Sequence, residues 1–293
     1  MPPKDLPFVS VIIPHKGDDA GLIQCLNALR NQTYPSSSFE VIVVRNELHD
    51  RPAPLSLRGN ERFLWEPQGF SYAARNLGVA HALGEILAFT DSDTVPSPSW
   101  IEQGIQAFAG NMHMVAGRIL LEENPRPLSW SACYEYLYSF NQEGNVKNNV
   151  STTANLFVLR EIFQREGPFF QGAITGEDFE WVYRATQSGA SLAYNPLATV
   201  AHPVRSKFHQ VVSKVKRTSL VSAQNLGRNV SLTQTKRLFM VMKKSPVTDH
   251  MKLTRLEMAK GNVLRILLLT LQLGLVVTSR QRWRVTTGLG GSG

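Results

Sequence analysis

Short, almost continuously apolar segments alternate with helix-like segments along the first part of this chain. Residues 8–13 (FVSVII) and 39–44 (FEVIVV) have the composition of buried strands. Between them Leu22, Leu26 and Leu29 recur at helical spacing. Strands that alternate with helices and are apolar on both faces predict an α/β fold, with a largely parallel sheet and flanking helices.

An Asp-Ser-Asp sequence follows a third apolar run, residues 86–89. Open α/β sheets bind ligands at the carboxyl ends of their strands, so we expect Asp91, Ser92 and Asp93 at a binding edge. Two carboxylates at such an edge suit a hard divalent cation that holds phosphate. The same pattern also occurs in turns with solvated acids, so the motif alone leaves both interpretations open.

Three further motifs carry side chains suited to this chemistry. Glu177 and Asp178 precede a predicted helix, whose dipole favours an ionised carboxylate and hence a general base. His202 follows an apolar segment, and an imidazole beside carboxylates suits Mn²⁺ as well as Mg²⁺. Arg75 can face phosphates or a base edge. Each also has a structural interpretation, as a helix cap, a core histidine or a surface arginine.

The charge of the chain is divided unevenly. Residues 1–204 carry 14 Lys and Arg and 21 Asp and Glu, whereas residues 205–293 carry 17 and 2. The net charges of −7 and +15 predict an anionic partner for the basic region, either lipid headgroups or nucleic acid. Residues 263–277 are mainly apolar but fall short of the ~20 residues needed to cross a bilayer. They favour a helix lying in the membrane interface, or a dimer helix.

These patterns predict two regions, a catalytic domain over residues 1–205 and a basic helical region over residues 206–293. The chain has two cysteines, so a disulfide framework is not expected and a reducing cytoplasm suits it. No nucleic-acid motif is recognised, and the apolar run favours lipid over nucleic acid as the partner. We therefore expect a cytoplasmic, peripheral protein at the inner face of the plasma membrane.

The order of several motifs resembles the family 2 glycosyltransferases. The resemblance covers residues 7–205 and rests on SVIIP, SYAARNLGVAHALGEILAFTDSD, PSPSWIE, ANLFVLR, GEDFEWVYR and YNPLATVAHPVR in that order. It implies a GT-A fold, a doubly wound, mostly parallel sheet with flanking helices and a nucleotide-sugar site at the strand ends. It also implies transfer of a sugar with inversion to an acceptor hydroxyl, with Mn²⁺ or Mg²⁺ as cofactor.

The resemblance also implies roles for individual residues. Asp93 is then the principal metal ligand, Asp91 lies near the ribose and the metal, and His202 is a further ligand. Asp178 is the general base, with Glu177 beside it near the donor or acceptor. The remaining nucleotide- and donor-binding positions are Pro14, His15, Lys16, Arg75, Asn76, Ser92 and Asn155, with Arg160 in support.

One position departs from the family pattern. The family often has an Asp pair after the second strand, whereas Val44 is followed here by Arg45, Asn46 and Glu47. An amide can donate and accept hydrogen bonds, so Asn46 can still read a base. A UDP-sugar is the default donor, with GDP- and dTDP-sugars left open.

The sequence leaves a second class of protein open. A non-catalytic nucleotide-sugar or polyanion-binding protein could retain the same fold. Intact Asp91, Asp93 and Asp178 favour the enzyme. For that enzyme we expect a glycan or lipid-linked acceptor, a role in cell-surface polysaccharide or glycolipid synthesis, a membrane-surface contact and no nucleic-acid partner. A homodimer is left open.

Overall fold

A computed structural model of the chain describes residues 6–122, 125–171, 176–216 and 253–286. The chain divides into two compact units. The first contains Met1–Leu120, Gln142–Gly172 and Glu177–Pro203. The second contains Leu121–Asn141, Ala173–Gly176 and Val204–Gly293.

Eight strands of the described residues form one sheet. In chain order they are β1 Val9–His15, β2 Phe39–Arg45, β3 Glu61–Trp65, β4 Ile86–Thr90, β5 Val95–Pro96, β6 Met114–Leu121, β7 Asn155–Leu159 and β8 Leu192–His202. The order across the sheet is β3-β2-β1-β4-β7-β6-β8-β5. Strands β3, β2, β1 and β4 pair in parallel, whereas β7 runs antiparallel to β4 and β6, and β5 to β8.

Helices flank the sheet. In the described residues they are α1 Asp19–Arg30, α2 Ser71–His81, α3 Trp100–Gln106, α4 Trp130–Tyr138, α5 Gln142–Lys147, α6 Arg160–Glu166, α7 Glu177–Gln187 and α8 Arg255–Thr286. Short 3₁₀ turns occur at Ser36–Ser38 and Ala107–Gly110, and residues 208–216 are also helical. The predicted α/β fold class is confirmed, with the parallel strands at one side of the sheet.

The helices approach the parallel strands closely. Strands β1 and β2 are buried along their whole length, as their apolar sequences predict. Helix α2 crosses them at Gly78, where an added Cβ would lie 2.6 Å from Ile12 Cγ2 and 3.3 Å from Val44 Cγ2. Asp18 caps α1 by accepting a hydrogen bond from the backbone N–H of Ala20.

An aromatic cluster joins the end of the parallel region to α7. The ring centroid of Trp181 lies 5.1 Å from that of Phe163 and 5.6 Å from that of Phe169. Phe169 in turn packs edge-on against Phe89 of β4 at 5.5 Å. The indole N–H of Trp181 donates to the carbonyl of Gly167. This packing fixes α7, which begins at Glu177, relative to β4, which ends just before Asp91.

The second unit contains helices packed on one another. At Gly261 an added Cβ would lie 2.6 Å from Leu137 Cδ1, so α8 approaches α4 closely. Glu135 of α4 is fully buried and pairs with Arg205 at 3.0 Å and Lys214 at 2.9 Å. Burial alone would raise the pKa of Glu135, but these cations hold it at about 2. No helix in the described part of the chain combines the length and apolarity needed to cross a bilayer.

Candidate donor and metal site

The Asp-Ser-Asp sequence forms a turn directly after β4. Strands β1, β2 and β4 are parallel, so their carboxyl ends meet at one edge of the sheet. The hydroxyl of Thr94 donates to the carbonyl of Asp91 at 2.8 Å, and the Thr94 N–H reaches the same oxygen at 3.2 Å. The turn therefore places Asp91 and Asp93 at the edge of the sheet where open α/β sheets bind ligands.

Three potential metal ligands converge at this turn. Asp91, Asp93 and His202 each offer one ligand atom, and these atoms all lie within 4.8 Å of one another. His202 Nε2 lies 3.7 Å from Asp93 Oδ1. His202 comes from the end of β8, far along the chain from the two aspartates. The sheet thus brings together the three metal ligands that the sequence predicted.

The hydrogen bonding of His202 suits metal ligation. Its Nδ1 lies 2.8 Å from the carbonyl oxygen of Pro203, which can only accept. Nδ1 therefore carries the proton, and the lone pair lies on Nε2, the nitrogen that faces Asp93. Two carboxylate oxygens and one imidazole nitrogen suit Mn²⁺ and are compatible with Mg²⁺. The residues present fit a divalent cation.

Arg75 connects this turn to the beginning of α7. Its Nη2 donates to Asp91 Oδ1 at 2.9 Å, and its Nη1 donates to Glu177 Oε1 at 3.0 Å. The Ser71 hydroxyl donates to the same Glu177 oxygen at 2.6 Å. Arg75 and Glu177 are both about 95% buried. Glu177 is thus held by two donors and serves to position Arg75 and, through it, Asp91.

Asp178 is the carboxylate best placed to accept a proton. It is half-buried, and its oxygens accept hydrogen bonds from the backbone N–H groups of Phe179 at 2.8 Å and Thr153 at 3.3 Å. Burial and the adjacent charge of Glu177 raise its pKa to about 7, although Arg75 opposes the shift. A carboxylate that titrates near neutral pH is suited to general base catalysis.

The ends of β1 and β2 carry a charged network that the sequence analysis did not identify. His15 Nε2 lies 2.7 Å from Asp19 Oδ1, and Asp19 Oδ2 accepts from Arg51 Nη1 at 2.5 Å. Arg51 also pairs with Glu47 at 3.2 Å. His15 and Asn46 are buried, and the Asn46 N–H donates to the His15 carbonyl at 2.9 Å. The four-residue spacing of His15 and Asp19 was the available sequence signal.

Other predicted nucleotide-binding residues lie at the same edge. Pro14 is the second-last residue of β1, and Lys16 follows β1, with its amine 3.4 Å from the carbonyl of Gly69. Ser92 is half-buried between the two aspartates of the turn. The roles of Pro14, Lys16 and Ser92 stay predictions.

Two predicted donor-site amides are engaged within the fold. Asn76 donates to the Phe169 carbonyl and accepts from the Phe169 N–H, at 3.0 and 2.9 Å. Asn155 accepts from the Trp100 indole at 2.9 Å and donates to the carbonyls of Arg118 and Ala198. The structure does not bring these amides into the metal cluster. Arg160, predicted to support the donor, donates to the carbonyl of Ala82.

A family comparison accounts for this combination of fold and site. The family model described as "Glycosyl transferase family 2" matches residues 10–165. The chain belongs to this family. It is 37% identical to the glycosyltransferase AglE of Haloferax volcanii over 210 residues, which are 68% of each chain.

A second relative matches a smaller part of its own length. The chain is 33% identical over 152 residues to the pre-mycofactocin glycosyltransferase of Mycobacterium tuberculosis. The match covers 48% of this chain and 32% of that protein. The chain therefore spans about a third of this relative.

Solved structures show the same fold. Staphylococcus aureus TarS 1–349 in complex with UDP-GlcNAc has a TM-score of 0.54 at 15% identity, covering 80% of this chain and 71% of that chain. The mannosyltransferase PcManGT from Pyrobaculum calidifontis, in complex with GDP-Man and Mn²⁺, has a TM-score of 0.58 at 16% identity. That match covers 98% of this chain and 76% of PcManGT. The predicted GT-A fold is confirmed.

Proposed function

We propose that this protein is an inverting glycosyltransferase that moves a sugar from a nucleotide-diphosphate sugar to an acceptor hydroxyl. The observation that carries the proposal is the continuity of the site. Arg75 bonds both Asp91 of the cation cluster and Glu177, and Glu177 adjoins Asp178. The cation site is therefore hydrogen-bonded through Arg75 to Glu177, whose neighbour in the chain is the proton acceptor Asp178.

The cluster of Asp91, Asp93 and His202 would hold the divalent cation, Mn²⁺ or Mg²⁺. When bound, such a cation neutralises the diphosphate and stabilises the charge of the leaving group. Arg75 keeps one Asp91 oxygen in a fixed place through its 2.9 Å hydrogen bond. Because Arg75 is itself held by Glu177, the ligand geometry is established before the donor arrives.

Asp178 would act on the acceptor. Its carboxylate accepts the proton of the acceptor hydroxyl as that oxygen attacks the anomeric carbon. A bond forms between the acceptor oxygen and the anomeric carbon, and the bond from that carbon to the diphosphate oxygen breaks. The nucleoside diphosphate leaves from the opposite face, so the configuration inverts. A pKa of about 7 leaves enough of Asp178 ionised at neutral pH for this role.

The nucleoside of the donor would lie at the ends of β1 and β2. Asn46 Oδ1 and His15 Nδ1 are buried and have no hydrogen-bond partner among the described residues. Polar atoms of this kind are normally satisfied, so a ligand that reaches them gains affinity. TarS is solved with UDP-GlcNAc and PcManGT with GDP-Man. We retain a UDP-sugar as the default donor, and Asn46 as the residue on which the choice of base depends.

Helix α8 supports a peripheral position at the inner face of the plasma membrane. Leu256, Val263, Ile266 and Leu267 recur at helical spacing and are 45–66% exposed. Exposed apolar stripes mark interaction surfaces. Because residues 205–293 carry a net charge of +15, an anionic bilayer is the occupant we propose. The acceptor would then be lipid-linked, as in the synthesis of cell-surface polysaccharide or glycolipid.

Donor turnover tests the enzymatic proposal. The purified chain is incubated with a panel of UDP-, GDP- and dTDP-sugars with Mn²⁺, and release of nucleoside diphosphate is followed, with NMR of the sugar product. We expect one donor to be consumed, with the opposite anomeric configuration in the first product. Binding of a donor without any release would instead support the non-catalytic alternative.

A further inference from the structure

A shallow cavity opens at the N-terminal end of α2, apart from the cation cluster. Its volume is about 180 Å³, and its polar lining comes from Glu66, Gln68, Tyr72, Asn76 and Gln171. Residue 71, which precedes Tyr72, is the serine that donates to Glu177. Tyr72, which lines the cavity, is therefore the chain neighbour of Ser71, a residue that helps to hold Glu177 and, through it, Arg75.

The polar groups of this cavity suit neutral hydroxyls. Asn76 is engaged with the backbone of Phe169, and Glu66 Oε1 accepts from the Gln68 N–H at 3.0 Å. The other Glu66 oxygen, the Gln68 and Gln171 amides and the Tyr72 hydroxyl are left for a ligand. This set combines hydrogen-bond donors and acceptors in planar groups. The lining contains no Lys or Arg among the described residues, so it does not suit phosphate.

Tyr72 contributes a hydroxyl to the lining. The residue as a whole is mostly buried, but its hydroxyl is open to solvent and makes no hydrogen bond with any described residue. Because Tyr72 lines the cavity, a bound molecule can replace water at this hydroxyl.

An exposed aromatic ring adjoins the cavity. Phe70 is 42% exposed and stacks on the ring of Tyr72, with centroids 5.3 Å apart and planes 14° from parallel. Sugar rings present faces of C–H groups, which pack favourably on the electron-rich face of an aromatic ring.

We propose that this cavity binds a neutral sugar unit of the acceptor. The proposal rests on the function proposed above and adds a substrate class to it: the acceptor carries a glycan, and one of its uncharged residues docks beside α2. The Tyr72 hydroxyl and the Gln68 and Gln171 amides bond its hydroxyls, and Phe70 covers one of its faces.

The test is binding of neutral disaccharides, measured without any donor. Saturation-transfer NMR of the full chain is recorded with mannobiose, cellobiose, maltose and chitobiose at millimolar concentration. We expect at least one disaccharide to bind. Loss of one hydrogen bond in Tyr72→Phe should weaken its binding about threefold to tenfold. Gln68→Ala should have a similar effect, and Gln187→Ala, at an exposed glutamine of α7, should have none.

Two results would overturn the proposal: no binding by any of the four disaccharides, or binding that is unchanged in both cavity variants. Release of nucleoside diphosphate from the donor alone is measured in parallel and should be the same in Tyr72→Phe and the unaltered chain. If the unaltered chain consumes no donor while the disaccharide binds at this cavity, the proposed transferase function fails and the sugar site stands.

Discussion

Asp178 occupies an environment that costs folding energy and suits the proposed role of general base. Its ordinary pKa of 3.8 is raised to about 7 by burial and by the charge of Glu177. As pH rises through this interval, the unfolded chain releases the proton before the folded chain does. Folding is therefore penalised increasingly from about pH 4 to pH 7, and fully above pH 7. Protein groups that are held at such a cost often belong to active sites.

We predict opposite effects of Asp178→Asn on activity and stability. Transfer should fall about 10²–10⁴-fold, because the amide cannot take the proton. Above pH 7 the variant should melt at a higher temperature, by about 2–4 °C for each kcal/mol of relieved penalty, and the gain should vanish near pH 4. Turnover assays and melting curves across this pH range measure both effects. If the variant turns over nearly as fast as the unaltered chain, Asp178 is not the general base.

Arg75 and Glu177 form a buried pair, so removing one charge should cost more than removing both. Arg75→Met leaves Glu177 buried without its cation and should lower the free energy of unfolding by about 3–5 kcal/mol. Adding Glu177→Gln should restore part of that loss. Urea unfolding of the two single variants and the double variant gives the coupling energy.

The control for this cycle is the exposed pair of Lys147 and Glu143. Lys147→Met should change the free energy of unfolding by less than about 1 kcal/mol. If the effects of Arg75→Met and Glu177→Gln simply add, the pair does not act as the link between the cation turn and α7.

At the scale of elements, α1 packs directly against the cation turn. An added Cβ at Gly21 would lie 3.2 Å from the Cα of Asp93 and 3.2 Å from the carbonyl oxygen of Ser92. Because glycine has no side chain, α1 can pack directly against the turn that carries Asp93. The position of Asp93 therefore depends on a helix whose side chains are not themselves ligands.

We expect Gly21→Ala to disturb the cation site without unfolding the chain. The added methyl group displaces the turn, and Mn²⁺ affinity should fall about threefold to tenfold, as measured by electron paramagnetic resonance. Helix propensity favours alanine by up to about 1 kcal/mol, which offsets the crowding in overall stability. Gly59→Ala is the matched control, since a Cβ there meets nothing within 4 Å. If Gly21→Ala and Gly59→Ala bind Mn²⁺ with equal affinity, the packing of α1 does not determine the geometry of the cation site.

The sequence predicts some elements better than others. The buried strands β1, β2 and β4 follow from their apolar runs, and their bounds differ from the predicted ones by one or two residues. Strand β8 is less evident from composition, because Pro196 lies within it. Composition does not encode the antiparallel direction of β7, because pairing direction depends on the connections between strands.

Site residues were likewise predictable where they belong to motifs that follow one another in the order typical of the family. The motifs placed Asp91, Asp93 and His202 together, and the structure does the same. Asn76 and Asn155 show the limit, since residue type does not reveal whether an amide faces a ligand or crosslinks the fold. Asp19 at the start of α1 and Arg51 in a polar loop are 32 positions apart, and their pairing leaves little sequence signal.

At the scale of the whole molecule, charge separates the sheet-bearing region from the basic C-terminal region. Residues 1–204 carry a net charge of −7 and residues 205–293 a net charge of +15. The boundary predicted at residue 205 stays a prediction. The distribution favours a protein whose C-terminal region meets an anionic surface while the cation site handles an anionic donor.

We predict that the chain floats with vesicles containing anionic lipid, and less with purely zwitterionic vesicles. Ile266→Glu combined with Leu267→Glu should reduce flotation strongly, because it places charges in the apolar stripe of α8. Leu197→Glu is the matched control, at a leucine of β8 that is 65% exposed. If the double variant floats normally but no longer self-associates in sedimentation, α8 is a dimer helix and the membrane proposal is wrong.

Thermal melting with nucleotides tests whether Asp91, Asp93 and His202 form a cation-dependent nucleotide-sugar site. UDP, GDP and dTDP are each added with and without Mn²⁺ to the unaltered chain and to Asp93→Asn. We expect one nucleotide, at about 100 times its Kd, to raise the melting temperature by about 5–10 °C only when Mn²⁺ is present, and Asp93→Asn to lose this increase. An increase that is independent of Mn²⁺, or that persists in Asp93→Asn, would contradict this expectation.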